Sequence, residues 1–338
     1  MVSDKILEVE NLNVEIPVPS GTLMAVQNIS FNVNRGETLS IVGESGCGKS
    51  LTSLAIMNLL PAKAMRTAAS LKLAGENLLT ASPRRISDLR GERMAMIFQE
   101  PMTSLNPAYT IGNQLQEALL RHRKVSRAEA RERAVYLLEK VGITAAASRL
   151  RQYPHQLSGG LRQRVMIAMA LMCGPELIIA DEPTTALDVT IQAQILLLLA
   201  ELQREFNMGL ILITHDLGVV ARVADQVAVM YAGQLVETGS ARQVFREPTH
   251  PYTQGLLECI PIPGKTRPGA PLGSIPGIVP SMVGAIQGCH FKQRCQYAAE
   301  TCARNGIELV SAHETGHEYR CVLSPDQCAH NRAAQVAS

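Results

Sequence analysis

The sequence has no excess of charge, no long apolar run, nothing that resembles a secretory signal and no visible tandem repeat. Its 338 residues carry 32 Lys and Arg against 30 Asp and Glu, a formal charge of +2, which offers no broad basic face to a polyanion. The start, Met1-Val2-Ser3-Asp4-Lys5, lacks the basic and apolar regions of a secretory signal. The most apolar stretch, residues 165–173, is too short to cross a bilayer and is soon followed by Glu176. A cytosolic protein is therefore expected, and any membrane role must come through partners. In a reducing compartment the eight cysteines argue against a disulfide framework and make metal binding worth testing. The 46% hydrophobic content is ample for a buried core, and the length implies a main domain with an appendage.

The chain is organised around Gly43-Glu44-Ser45-Gly46-Cys47-Gly48-Lys49-Ser50. An apolar run, Thr38-Leu39-Ser40-Ile41-Val42, precedes it, and residues 51–57, starting at Leu51, read as a helix. Strand, glycine-rich loop and helix form the context of a phosphate-binding loop. Glycines let backbone N–H groups curl around an anion, and the helix N-terminus adds partial positive charge. Lys49 would reach the β- and γ-phosphates and the Ser50 hydroxyl would ligate Mg²⁺.

Other segments fit around this loop. Residues 6–33 alternate apolar and polar about turn signals, which predicts antiparallel strands. Residues 94–98 form a short apolar strand ending at Gln99, and residues 111–141 read as helical, with a capping box at Ser126 and Glu129 and a stop at Gly142. The basic residues of this stretch are interleaved with Glu129, Glu132 and Glu139, the pattern of a solvated helix face rather than a nucleic-acid site. Leu157-Ser158-Gly159-Gly160-Leu161-Arg162-Gln163 opens the next helix and puts Ser158 and two glycines at its positive end, a second anion site. The buried-strand run Leu177-Ile178-Ile179-Ala180 ends in Asp181-Glu182. Asp181 is placed to hold Mg²⁺ through water and Glu182 to orient or deprotonate an attacking water. A further strand, residues 210–214, delivers His215 to the same sheet edge for a γ-phosphate contact.

Together these residues resemble an ATP-binding cassette. Gly43 to Ser50 looks like its Walker A, Gln99 its Q-loop, Leu157 to Gln163 its signature, and Leu177 to Glu182 its Walker B. Ala186-Leu187-Asp188 looks like the D-loop and His215 the switch histidine. The resemblance implies an α/β P-loop NTPase fold over residues 1–245, with a RecA-like core, an antiparallel β subdomain and a helical subdomain at about 101–165. It also implies a head-to-tail dimer, with ATP at one Walker A closed over by the partner's signature. In that picture Glu182, His215 and Gln99 serve hydrolysis. Gly43 to Leu51, Ser158, Gly159, Gly160, Gln163 and Asp188 contact nucleotide, and Ser50, Gln99 and Asp181 serve Mg²⁺.

Further details are similar to the peptide/nickel importer ATPases of the oligopeptide and dipeptide permease group. These are Phe98-Gln99-Glu100-Pro101-Met102-Thr103-Ser104-Leu105-Asn106-Pro107, Tyr153-Pro154-His155-Gln156 and His250-Pro251-Tyr252-Thr253. Two positions depart from the pattern: Leu51 follows Ser50 where many cassettes have Thr, and Ile16 stands where an aromatic often stacks on adenine. The resemblance implies two membrane permease subunits, a second related ATPase or a second copy, and an extracytoplasmic substrate-binding protein, with no nucleic acid. The ATPase would sit peripherally on the cytoplasmic face of the inner or plasma membrane. Cassette ATPases of DNA repair or translation are the rival class, disfavoured by the compact helical insert between Gln99 and Ser158. A stand-alone phosphate-loop kinase or GTPase leaves Ser158-Gly159-Gly160 unexplained.

Residues 246–338 form the extension. Pro and Gly crowd residues 261–284 as a linker, followed by Cys289, Cys295, Cys302 and Cys321 in a loop-rich segment. Their spacings are wider than paired zinc knuckles. Four thiolates suffice for an iron–sulfur cluster, and Gly288-Cys289-His290-Phe291 with Arg294-Cys295 resembles importer tails, some of which carry [4Fe–4S]. Cluster, zinc and unligated thiols all stand as readings. Cys328 falls outside the pattern, while Cys173 and Cys259 are expected in the core. His313-Glu314-Thr315-Gly316-His317 matches the zinc-peptidase H-E-x-x-H pattern, but Gly316 weakens the helix that pattern needs, by about 1 kcal/mol.

Overall fold

The computed structural model describes residues 4–100, 104–185, 187–260, 273–304, 306–312 and 316–329. Strands β1 (Lys5–Val18) and β2 (Gly21–Asn34) pair antiparallel with Val18 opposite Gly21. Next come β3 (Thr38–Val42), the phosphate loop and α1 (Lys49–Ile56). Short strands β4 (Met65–Thr67) and β5 (Ser70–Leu73) both pair with β1, and β6 (Glu76–Asn77) closes that antiparallel sheet. Helix α2 (Pro83–Glu92) leads to β7 (Met94–Ile97).

The helical insert follows as α3 (Ile111–His122), α4 (Arg127–Lys140), α5 (Ala146–Arg149) and α6 (Gly159–Ala170). The continuous helical pattern of residues 111–141 is thus cut in two. Arg123 turns extended (φ −125°, ψ 141°), and Ser126 starts α4 afresh through the expected capping box with Glu129. Of the basic side chains here, Arg121 pairs with Asp88 and Lys140 with Glu205, as a solvated face requires. The core then resumes with β8 (Leu177–Asp181), α7 (Val189–Phe206), β9 (Gly209–Ile213), α8 (Leu217–Val223), β10 (Gln226–Tyr231) and β11 (Gln234–Ser240).

The central sheet runs β11-β10-β3-β9-β8-β7, parallel from β10 to β7. Its inner strands are covered on both faces, which is why they read as unbroken apolar runs. Alternation still sorts their side chains. Ile178, Ala180, Leu210 and Leu212 face the helical insert and α7, whereas Leu177, Ile179, Ile211 and Ile213 face the antiparallel sheet and α1. Because β3, β7, β8 and β9 are parallel, their carboxyl ends share one edge, where ligands of open α/β sheets bind.

The extension is built onto this sheet. Helices α9 (Ala241–Arg246) and α10 (Pro251–Glu258) follow β11, and β12 (Val310–Ser311) and β13 (Glu318–Tyr319) extend the sheet beyond it, Tyr319 opposite Glu237. Residues 261–272 of the expected linker lie outside the described residues; beyond them Met282 accepts from the Met24 N–H and the Gly284 N–H donates to Thr22. A third core cluster joins Val42, Val229, Tyr231 and Tyr252 to Phe291 of the extension. Among the described residues no helix is long and apolar enough to cross a membrane.

Candidate functional site

The loop after β3 is shaped by glycines that no other residue can replace. Gly43 has φ +148°, and a Cβ there would lie 2.1 Å from the Met230 carbonyl oxygen; at Gly48 (φ +109°) it would lie 2.4 Å from that of Ala25. These close approaches wrap the loop tightly around the start of α1. Lys49 is 4% exposed, and its Nζ donates to the Gly43 and Glu44 carbonyls at 2.8 and 2.9 Å. Cys47 is buried beside it, and burial pushes its thiol above the ordinary range, so it is no nucleophile. Ser45 and Gly46 are exposed, and Leu51 packs on the core from the first turn of α1.

The Ser50 hydroxyl donates to Asp181 Oδ1 at 2.9 Å. Burial raises the Asp181 carboxyl while the Ser50 hydrogen bond opposes that shift. Hydroxyl and carboxylate are the hard oxygen donors that Mg²⁺ takes, so these two residues fit such an ion. Beside them Glu182 adopts a left-handed backbone (φ +44°) and its N–H donates to Ile213. Its Oε2 is a meeting point: Gln99 Nε2 donates to it at 3.3 Å, Thr185 Oγ1 at 3.1 Å, and His215 Nδ1 stands 3.8 Å away. The ends of β3, β7, β8 and β9 therefore deliver Lys49, Gln99, Asp181, Glu182 and His215 to one place.

The stretch expected to form a second anion site is built differently. Ser158 caps α6, accepting from the Leu161 N–H at 3.4 Å, and Gly159 and Gly160 sit against Leu187 and Ile191. Asp188 caps α7 by accepting from the Ile191 N–H. Gln163, expected at nucleotide, is instead wholly buried, and its amide has no hydrogen-bond partner among the described residues; about one turn into α6, it faces protein. Ala186 and residues 101–103 of the Q-loop stretch lie outside the described residues. Ile16 is half-buried and packs on the core shared by the two sheets.

Three residues at the site were given no role by the sequence. Thr185 holds Glu182 as above, Tyr252 Oη accepts from the Glu44 N–H at 2.8 Å, and Arg294 pairs with the Glu44 carboxylate. Tyr252 and Arg294 stand inside motifs quoted for their family likeness and Thr185 just before Ala186-Leu187-Asp188, but nothing in the sequence linked them to Glu44 or Glu182.

In the extension, Cys289, Cys295, Cys302 and Cys321 lie close enough to influence one another's ionisation, and burial pushes the thiols of Cys289 and Cys295 up to about 11. Yet among the described residues no three His, Cys, Asp or Glu form a group that could hold a metal ion. The expected [4Fe–4S] cluster, like zinc, has no ready ligand set here. Cys328, set aside on spacing, is drawn in after all: it hydrogen-bonds Cys321, whose thiol is lowered by that contact. Cys173 is buried as expected, and Cys259 only partly. The H-E-x-x-H match fails. Residues 313–315 lie outside the described residues, Gly316 is left-handed (φ +83°) and leads into β13, not a helix. His317 is committed to the buried Glu237 at 2.8 Å, whose carboxylate also accepts from the Thr249 and His250 N–H groups.

Known proteins bear on this arrangement. The ABC transporter family profile matches residues 26–185, and that of the oligopeptide/dipeptide transporter C-terminal region matches residues 236–302. The dipeptide transport ATP-binding protein DppD of Bacillus subtilis is 51% identical over 97% of both chains. The oligopeptide transport ATP-binding protein OppD of Salmonella typhimurium is 51% identical over 94% of this chain and 93% of its own. Among solved structures, cbiO1 of Clostridium perfringens, part of the transporter complex cbiONQ, is 30% identical with a TM-score of 0.63 over 72% of this chain and 92% of its own. The cassette MJ0796, solved as a dimer with ADP and Pi, is 26% identical with the same TM-score, over 70% and 99%.

Proposed function

Since the chain belongs to the ATP-binding proteins of the ABC transporter family, in the branch with the oligopeptide/dipeptide C-terminal region, we propose that it is the ATP-hydrolysing subunit powering peptide import through a membrane transporter. The observation that carries the catalytic half is the convergence of Gln99, Thr185 and His215 on one oxygen of Glu182, next to the Ser50–Asp181 pair.

On this reading Gly43 to Ser50 cradle the phosphates, and Lys49 exchanges the loop's carbonyls for the β- and γ-phosphates. Mg²⁺, when bound, neutralises developing phosphate charge, held by the Ser50 hydroxyl and by Asp181. Glu182 accepts a hydrogen bond from the attacking water and aligns it. Gln99 and Thr185 fix that carboxylate, and His215, 63% exposed in its side chain, faces the open edge toward the γ-phosphate. Ser158, Gly159 and Gly160 at the α6 N-terminus close over a partner's nucleotide, with Asp188 nearby. That closure makes the working unit a dimer, either of two copies or with a related ATPase, as the dimeric MJ0796 cassette supports. Two membrane permease subunits and an extracytoplasmic substrate-binding protein complete the complex. The chain then works peripherally at the cytoplasmic face, its motifs lying in residues 1–245.

A finer reading gives the extension a [4Fe–4S] cluster on Cys289, Cys295, Cys302 and Cys321. It is supported by the vicinity of the thiols and opposed by the lack of a ready ligand group among the described residues. Iron and acid-labile sulfide in anaerobically purified protein decide it.

The test of the transport reading uses Glu182→Gln, tagged and held with Mg-ATP in mild detergent. Multi-span membrane proteins co-purifying from native cells support it. Ribosomes or DNA with no membrane protein overturn it in favour of a non-transport cassette.

A further inference from the structure

The extension reaches the phosphate loop directly, through a contact that hydrolysis as described above does not use. Arg294 is 8% exposed, its side chain 3%, and all five of its N–H donors are engaged. Nη1 and Nη2 meet the two carboxylate oxygens of Glu44 at 2.5 and 2.9 Å, a fork-on-fork pair. Nη1 also reaches Tyr231 Oη at 3.4 Å, Nη2 the Ile275 carbonyl at 3.1 Å, and Nε the Pro276 carbonyl at 2.9 Å. The guanidinium lies over the Tyr231 ring, 5.8 Å from its centroid. It is as fixed as a side chain can be.

Glu44 is equally committed. Its N–H donates to Tyr252 Oη, its carbonyl accepts from Lys49 Nζ, and its carboxylate takes Arg294. The phosphate loop is therefore held from behind by α10 and by the cysteine-bearing segment, 250 residues further along the chain. Glu44 is also a carboxylate built into a loop whose business is binding a polyanion. With no cation on it, that charge repels the triphosphate.

We infer that Arg294 is a positioning residue of the nucleotide site: it neutralises the Glu44 carboxylate and holds it turned away from the phosphates, so that the extension sets the affinity for ATP. This rests on the nucleotide reading of the loop. It makes residues 289–295 part of the nucleotide machinery, and any chemistry at Cys289 or Cys295 is placed to act on ATP through Arg294.

The experiment compares full-length wild type with Arg294→Met, Arg294→Lys and the double variant Arg294→Met/Glu44→Gln, by Mg-ATP titration and steady-state hydrolysis. Arg294→Met is expected to raise the Kd and KM for ATP about tenfold, the loss falling on KM rather than kcat. Arg294→Lys, which keeps the charge but loses the fork, falls between. The double variant binds ATP more tightly than Arg294→Met, because the unpaired charge is gone. A merely structural role lowers melting temperature and active fraction without this reversal. Wild-type KM in Arg294→Met, or in Arg294→Lys should Arg294→Met not fold, overturns the inference. So does a double variant no better than the single. Wild-type protein that binds no Mg-ATP overturns the nucleotide reading itself, a different failure.

Discussion

His250 makes the join between cassette and extension sensitive to acid. Its ring caps α10, Nδ1 accepting from the Tyr252 N–H at 3.0 Å, so that nitrogen must be unprotonated. The residue is 1% exposed. Burial first, and the nearby Arg320 charge second, lower its pKa from 6.5 to about 3. The unfolded chain thus takes up the proton before the folded one. The stability contribution is whole above about pH 6.5 and drains as pH falls from 6.5 toward 3. At about 1.36 kcal/mol per unit, going from neutral pH to pH 5 removes about 2 kcal/mol. His250→Asn keeps a side-chain acceptor at the cap but cannot titrate. Urea unfolding of both proteins from pH 7.5 to pH 5 gives the difference between them, in which every other titrating group cancels. That difference should shrink by about 2 kcal/mol. A gap constant across the range refutes the argument.

Glu182→Gln keeps the hydrogen-bonding shape of the site but removes its carboxylate; ATP retention on filters should persist while phosphate release falls a hundredfold or more, roughly the worth of a general base. Wild-type turnover in that variant removes Glu182 from its role. Gly43→Ala puts a methyl 2.1 Å from the Met230 carbonyl, so either the loop or β10 must shift; Mg-ATP binding should be lost, with a lower melting temperature, and normal binding would show that the wrapped loop is not needed.

Much of this was legible because it is local. Gly43 to Ser50 declares strand, turn and helix within a few residues, and the apolar runs ending at Val42, Ala180 and Ile213 declare buried parallel strands. Their ends meet because parallel strands in one sheet must end on one side, which puts Lys49, Asp181, Glu182 and His215 together without any knowledge of side-chain contacts. Where the reading missed, the cause was long range or conformational. No pattern within residues 111–141 shows that Arg123 leaves the helix to bond the Cys173 carbonyl, 50 positions on. Nor does any show that Glu182 turns left-handed to aim its carboxylate at Gln99. Gln163 stands in a motif, yet the α6 period carries it into the protein, where it is wholly buried.

The extension was the least legible part, and the reason is physical. A segment poor in regular structure and rich in cysteine reads as an appendage needing a metal to hold it, because small loop-rich units cannot bury enough surface alone. This one does not stand alone. It borrows the cassette's core through Phe291 against Tyr231, its sheet through Tyr319 beside Glu237, a buried hydrogen-bond partner through His317 on Glu237, and an ion pair through Arg294 on Glu44. Each of these contacts links residues dozens to hundreds of positions apart, so composition could not reveal them. They also explain how a tail whose described residues offer no ready metal group stays folded. The buried Glu237 and the part-buried Glu44 need the hydrogen-bond donors of the tail as much as the tail needs the cassette's apolar surface, and the contact on Glu44 carries that mutual dependence to the phosphate loop.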